Sequence, residues 1–363
     1  MTIPTVTSTR TLDTNALADL RATLRGEVVL PSDASYDTVR AIWNGMIDKR
    51  PAVIVRCAGA ADVVAAIQFA RTTGLDVAVR GGGHSTAGLS LCDGGLVIDL
   101  SPMRGIRVDP RRRTVRAEPG VRLGELLRET QSFGLATTTG TVSDTGLAGL
   151  TLGGGMGYLA GKYGLTIDNL LSVDIVTADG RLLVACAEEH ADLFWAVRGG
   201  GGNFGVVTSF ELQLHPAARV LGGMVAHPLF RAREALRFYR DFARDCPDEL
   251  SLAAAIVTTP DGQPVLGFIA CYTGDFAQGE RALAPLRAFG PPVVDLIRPM
   301  SILELNSLVD GASPTGLRYY EKGSALPRLT DDAIDAIVAA GDARTSPLSQ
   351  IIIQHMHGAA TRV

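Results

Sequence analysis

His84 follows three consecutive glycines, Gly81, Gly82 and Gly83, and precedes Ser85, Thr86, Ala87 and Gly88. A neutral imidazole is a nucleophile and a proton acceptor near neutral pH. The three glycines remove every Cβ from the turn before it, so the backbone there can take positive φ and approach a ligand closely. Successive free N–H groups in such a turn form an anion-binding concavity suited to a phosphate or pyrophosphate. The chemistry on offer is an anion cradle with a nucleophile at its rim. A tight turn beside an incidental surface histidine would have the same sequence, and the turn alone does not choose between them.

Two further glycine-rich stretches, 140–157 and 198–205, bear on that choice. Gly200, Gly202 and Gly205 formally satisfy G-x-G-x-x-G, but they follow a helical pattern and precede a strand, the reverse of a dinucleotide fingerprint. Gly155-x-Gly157-x-x-Ala160 precedes a helix, yet Asp179, the acidic residue at a suitable distance, falls in a hairpin turn. No GK[ST] sequence is present, which excludes a P-loop. Three glycine loops along one groove suit an extended ligand with a pyrophosphate and a flat ring system. FAD fits that description better than a small substrate.

The elements that would position these loops read as follows. Residues 53–56 and 77–79 are strands, and 60–72 between them is a helix that stops at Gly74, so the first glycine loop sits at a strand's carboxyl end. Residues 15–24 and 36–46 read as helical. Residues 96–100 form another strand, 107–117 a hairpin, 121–133 an amphipathic helix ended by Gly134, 172–185 a second hairpin, and 206–214 a strand. After Pro216 the glycine clusters stop. Strands and helices then alternate, which suggests an antiparallel sheet covered by helices.

The chain has 363 residues, 46% hydrophobic and 20% charged, with a net charge of −4. No basic block points to nucleic acid, and no apolar run is long enough to span a bilayer. The start carries no apolar signal-peptide core, and the five cysteines show no paired spacing, which suggests free thiols in a reducing compartment. The expectation is a cytoplasmic protein with no nucleic-acid or membrane partner, no metal, and an oligomeric state that the sequence leaves open.

The segments VAVRGGGHSTAGLS (77–90), GTVSDTGLAGLTLGGGMGYLAGKYGLTIDNLLSVDIVTADG (140–180) and DLFWAVRGGGGNFGVVTSFEL (192–212) carry a resemblance. In order and spacing they resemble the FAD-linked oxidases of the vanillyl-alcohol oxidase/PCMH superfamily, in the berberine bridge enzyme-like branch. The similarity continues more weakly through RYYEKGSAL (318–326) and QIIIQHMHGAATRV (350–363). It implies an α+β protein: an N-terminal helical extension over 1–46, a PCMH-type FAD-binding domain of two α/β subdomains over 47–216, and a substrate domain over 217–363. It also implies a further segment beyond GAATRV, so the substrate domain and its catalytic groups are expected to be incomplete at Val363.

The resemblance also assigns roles. His84 would bond through its ring to the 8α carbon of the flavin. Arg80, Gly81, Gly82, Gly83, Ser85 and Gly88 would cradle the pyrophosphate. Gly140, Thr141, Thr145, Gly146, Gly149, Gly153 and Gly157 would line the flavin and its ribityl chain. Asn203, Gly205 and Val207 would close on the adenine side or the rear of the ring. Many members carry a second, cysteinyl link at C6, but the corresponding position here is Val142, so a single link through His84 is expected.

The implied reaction is hydride transfer to flavin N5 from a carbon bearing OH or NH, on a sugar or secondary metabolite, with dioxygen reoxidising the flavin. A PCMH-type dehydrogenase using another acceptor, and a catalytically degenerate FAD binder, are the alternatives. For the base, alternation along 318–322 would put Arg318, Tyr320 and Lys322 on one strand face. A lysine could lower the Tyr320 pKa enough for proton removal, although an ordinary amphipathic strand reads the same way. Gln354 and His355 on the last strand are weaker candidates.

Overall fold

The computed structural model describes residues 12–362. Residues 1–11, the start of the extension expected over 1–46 and the stretch without an apolar signal-peptide core, and Val363 lie outside them.

The first unit contains α1 (Thr14–Thr23), β1 (Glu27–Val29), α2 (Tyr36–Arg40), β2 (Val53–Arg56), α3 (Ala60–Thr73), β3 (Val77–Arg80) and β4 (Leu96–Asp99). Its sheet runs β1-β2-β4-β3, parallel except for the antiparallel edge strand β1. Strand β4 is buried throughout. Leu96 and Ile98 join the core formed with Val63, Ala66 and Ile67 of α3, while Val97 joins Ile54, Ala78 and Tyr36 on the other face. Alternate residues of a strand point to opposite faces, so a strand covered on both sides must be apolar at every position but its ends. Gly74 ends α3 at φ 64, the left-handed value that a helix C-terminus takes most easily with glycine. Two expectations change here. Residues 27–29 are a strand rather than part of a helical extension, and the helix expected over 36–46 ends at Arg40.

The second unit contains β5 (Ile106–Asp109), β6 (Thr114–Ala117), α4 (Leu123–Gln131), β7 (Leu135–Ala136), α5 (Leu147–Gly153), α6 (Ala160–Tyr163), β8 (Leu170–Val176), β9 (Leu182–Cys186), α7 (Ala191–Gly200) and β10 (Val206–Gln213). The sheet order is β5-β6-β10-β8-β9, antiparallel throughout, and both expected hairpins are present. The short β11 (His215–Pro216) pairs back onto β7 and carries the chain out of this unit.

The remainder contains β12 (Val220–Pro228), α8 (Ala232–Arg244), β13 (Leu250–Thr258), β14 (Pro264–Tyr272), α9 (Phe276–Ala288), β15 (Val294–Asp295), β16 (Arg298–Met300), α10 (Ile302–Ser307), α11 (Asp331–Asp342) and β17 (Ile351–Gln354). The antiparallel order is β15-β12-β14-β13-β17, with β16 also on β12. One face buries Ile256, Leu266 and Phe268 under Leu236, Tyr239, Leu283 and Ile334 of the helices. The other face turns Cys271 toward Tyr158 and Leu159 of the second unit. The fold is therefore α+β, as expected, with one face of the last sheet apposed to the second glycine region.

All five cysteines are unpaired. Among the described residues no helix is long and apolar enough to cross a membrane.

Candidate active site

Strand β3 delivers the first glycine loop, and its last residue, Arg80, is tied down before the loop begins. Arg80 is 6% exposed, and its guanidinium donates to both carboxylate oxygens of Asp99 on the neighbouring strand, at 3.0 and 2.5 Å. It also donates to the Val39 carbonyl. The side chain expected to help cradle a phosphate is thus committed to the sheet, and it anchors the loop from beneath. Gly82 explains the glycine run more directly. A Cβ there would lie 2.4 Å from the Gly146 Cα, and a Cβ on Gly146 would lie 2.6 Å from the Gly82 Cα. The first and second glycine loops touch backbone to backbone, which no residue with a side chain allows. At the end of the first loop Ser85 Oγ accepts from the Leu89 N–H at 3.1 Å, and Gly88 is buried against Ile47.

His84 is half-buried at this junction, and its Nε2 is enclosed without a hydrogen-bond partner. Burial lowers its pKa below the ordinary value, with Asp144 partly opposing and Arg122 assisting. The imidazole is therefore neutral at physiological pH, the form a nucleophile requires. Its ring stacks on Trp43 at 4.2 Å between centroids and 18° between planes. Trp43 in turn stacks on Tyr319 at 3.7 Å and 13°. The neighbouring Asn44 is 1% exposed, donates to the carbonyls of Thr86 and Tyr319, and accepts from the Tyr319 N–H. Sequence reasoning missed Trp43, Asn44 and Tyr319. The Trp-Asn-Gly triplet at 43–45 was a local signal, but nothing local announces a partner at 319.

The second glycine region is a short helix between two loops. Asn306 Nδ2 donates to the Gly140 carbonyl at 2.7 Å, and Asp310 accepts from the Ser143 N–H and hydroxyl at 2.9 and 2.5 Å. Thr145 O accepts from the Leu123 N–H at 3.0 Å. Gly149 and Gly153 lie about one turn apart on α5, and a Cβ on either would meet nothing within 4 Å. The same holds for Gly199, Gly201 and Gly202 in the third region, which packs beside α5. These adjacent segments form a strip of bare backbone with open space above it. In the third region Asn203 is exposed and donates to Gly200 O at 2.7 Å. Gly205 takes φ 147, and a Cβ there would meet Val176 O at 2.5 Å. Val207 is 3% exposed, in the core that also holds Leu147 and Ala148 of α5.

Thr141, Gly157 and Tyr158 form one wall of a cleft whose opposite wall carries Ser251, Leu252, Ile269, Gln354, His355 and His357. His355 and His357 stack at 4.7 Å and 8°, and Nδ1 of each is buried without a partner. Burial first, then the neighbouring His357, lowers the His355 pKa, leaving a neutral proton acceptor on the wall. Burial pushes the Tyr158 hydroxyl well above its usual range, which removes it as a base. Burial pushes the Cys271 thiol up to about 12, and no cysteine lies in the second glycine region.

The strand expected over 318–322 is absent: these residues are irregular and mostly exposed. Tyr320 is 76% exposed, with Lys322 Nζ 5.6 Å from its ring centroid, a surface cation–π contact away from the cleft lining. Tyr319 and Glu321, which alternate with Arg318, Tyr320 and Lys322, approach the site instead. Tyr319 caps Trp43, and Glu321 accepts from the Thr86 hydroxyl at 2.9 Å. A strand needs a partner edge, and the free edge of β13 is taken by β17.

Comparison with known proteins agrees with this geometry. The FAD binding domain family matches residues 51–186. An FAD-linked oxidoreductase of Dictyostelium discoideum is 37% identical over 330 residues, covering 90% of this chain and 72% of that protein. The crystal structure of 6-hydroxy-D-nicotine oxidase from Arthrobacter nicotinovorans superposes with a TM-score of 0.81 at 31% identity, covering 95% of this chain and 77% of that one. A chitooligosaccharide oxidase superposes with a TM-score of 0.84 at 25% identity, covering 96% and 78%.

Proposed function

Because the chain belongs to the FAD-linked oxidoreductases of the PCMH/berberine bridge enzyme-like family, we propose that it holds FAD covalently through His84 and oxidises a small hydroxylated or amino-bearing substrate in the cleft facing β17. The observation that carries this reading is the contact of Gly82 with Gly146, which sets a neutral His84 where two glycine loops meet. FAD, when bound, supplies the two-electron acceptor, taking a hydride from a carbon bearing OH or NH, and dioxygen is the acceptor that restores it. Residues 47–216 hold the cofactor and 217–363 provide the substrate wall.

This chain's own residues have separable tasks. The bare backbone at Gly149, Gly153, Gly199, Gly201 and Gly202 would admit the cofactor without side-chain obstruction. Asn306 and Asp310 fix the second loop, and so set the wall that carries Thr141. His355 takes the proton from the substrate OH or NH as its carbon gives up the hydride, because it is neutral and its Nδ1 is unpartnered. The nicotine oxidase and the chitooligosaccharide oxidase act on an amine and a sugar respectively, as their names state, which supports a small-molecule substrate of either type.

Acid precipitation of the purified protein tests the anchor: flavin colour stays with the pellet. A peroxide assay across sugars, alcohols and cyclic amines tests the reaction. Colour released to the supernatant overturns the covalent link. Substrate-dependent reduction of an artificial acceptor without peroxide replaces dioxygen by another acceptor.

A further inference from the structure

We propose that Trp43 is a positioning residue for covalent attachment at His84, held in register by Tyr319 from the substrate half of the chain. The proposal rests on the reading of His84 as the flavin anchor. Three rings stack with Trp43 in the middle: His84 covers one face of the indole and Tyr319 the other, since both centroids lie too close to that of Trp43 to share a face.

The stack is built from distant parts of the chain and pinned at each. The Trp43 N–H donates to the Gly83 carbonyl, next to His84, at 3.0 Å. Indole Nε1 donates to the Ser313 carbonyl at 3.0 Å, and the Gly316 N–H donates to the Trp43 carbonyl at 2.9 Å. Asn44 is bonded on both sides to Tyr319, whose hydroxyl donates to Pro314 O at 2.5 Å. The segment 313–321 has no strand or helix of its own to hold it beyond the short turn at its start. These contacts to residues 43 and 44, together with the Gly45 N–H donating to Leu317 O at 2.8 Å and the Thr86 hydroxyl donating to Glu321, account for its position.

The consequence follows from the orbital that reacts. The lone pair of an imidazole nitrogen lies in the ring plane, so the direction of attack is set by how the ring is tilted. With one face flat against Trp43, His84 can turn only within the plane of the stack, and its nitrogen edge keeps one inclination. Nε2 has no hydrogen-bond partner, and the ring's one polar contact is with its own backbone, so the stack on Trp43 supplies the tilt of the ring. Attachment forms a C–N bond between an imidazole nitrogen and the 8α carbon, and breaks one C–H bond at that carbon and one N–H bond of the ring. Two protons and two electrons leave, and dioxygen accepts them as hydrogen peroxide. A nucleophile misdirected by a fraction of an ångström or a tilt of the ring slows such a step while leaving cofactor binding intact.

The test uses full-length protein prepared without flavin and then mixed with FAD in air. Total bound flavin is read by absorbance, and covalent flavin by fluorescence that survives acid precipitation. Wild type acquires acid-stable flavin, and His84→Ala binds FAD but acquires none. Trp43→Phe keeps a flat ring and attaches at close to the wild-type rate. Trp43→Leu and Tyr319→Leu bind FAD but attach it about 10- to 100-fold more slowly. Attachment at the wild-type rate in both leucine variants overturns the proposal and leaves the His84 reading standing. Wild type without acid-stable flavin overturns the His84 reading itself. Should Trp43→Leu fail to fold, Tyr319→Leu decides, because that ring lies on the outer side of the stack and its loss opens no core.

Discussion

Gly82 and Gly146 meet backbone to backbone on the cofactor side of the molecule, whereas Gln354, His355 and His357 face the cleft from the sheet side with full side chains. The first surface is made by leaving atoms out, and the second by putting functional groups in. Bare backbone recognises what does not vary from one flavin to the next, because every peptide N–H offers the same donor. A strand face can exchange every second side chain without disturbing the sheet, so on the proposed reading it is the wall that would distinguish substrates. The two walls should therefore fail in opposite ways. The cofactor side breaks when atoms are added or its anchors are cut, and the sheet side when a functional group is removed.

The largest effect expected is at the anchor of the first loop. Asp99→Ala leaves the Arg80 guanidinium buried beside Val39 O with its main partner gone. Removing one partner of a buried ion pair costs about 3–5 kcal/mol, and urea unfolding of the apoprotein measures it. A loss below about 1 kcal/mol would mean that the loop does not depend on this pair. Adding a single methyl is the complementary break. Gly82→Ala forces the two loops apart, at an overpacking cost of about 1–3 kcal/mol. A tenfold to hundredfold weaker retention of FAD should follow, measured on apoprotein by flavin fluorescence quenching. Unchanged retention would show that the loops can separate without harm.

On the sheet side the test is deletion. His355→Gln keeps size and polarity but removes the proton acceptor, and should lower kcat/KM by about 100-fold for whichever substrate the peroxide assay identifies. Flavin content should stay unchanged. The pH dependence has a definite sign. The His355 pKa lies below 6.5, so the neutral base persists above that pH, and wild-type kcat/KM falls as pH drops through the lowered value. The variant should lose that acid limb. An identical acid limb in both proteins would assign the titration to another group.

How much of this was legible in the sequence follows the same division. The glycine loops could be read because each is a local feature: a strand, a turn without side chains, and a residue placed beside it. Individual strands could also be read where a short apolar run or an alternating pattern marked them, as at 96–100 and 206–214. Strand β1 was missed because three residues are too short to show a period of two. Trp43 and Asn44 were missed because their partners at Ser313 and Tyr319 lie 270 and 275 residues away, and no local pattern encodes that. The same limit affected the proton acceptor. Alternation over 318–322 is real in the sequence, yet the segment pairs with no strand and packs on Trp43 and Asn44 instead. The weaker candidate His355 directly follows a strand that does pair, β17 on β13.

That difference yields the smallest expected effect, which is informative because it is small. Tyr320→Leu and Lys322→Met remove the surface cation–π contact, whose worth at an exposed site is about 0.5–1 kcal/mol at most. Turnover in both should stay within about twofold of wild type, a change in transition-state stabilisation too slight to mark a lost base. Tyr319→Leu, one residue away, should instead delay covalent flavin. If Tyr320→Leu abolished turnover and Tyr319→Leu left attachment untouched, the segment would face the site with the side that sequence alternation assigned, and the irregular path from 318 to 322 would have to rearrange when substrate binds. Equal turnover in wild type and the two surface variants removes Tyr320 and Lys322 as the proton acceptor and leaves His355, at the margin of β17, as the candidate. There the imidazole is fixed by a paired strand, and a base so fixed meets the substrate in the same geometry at every cycle.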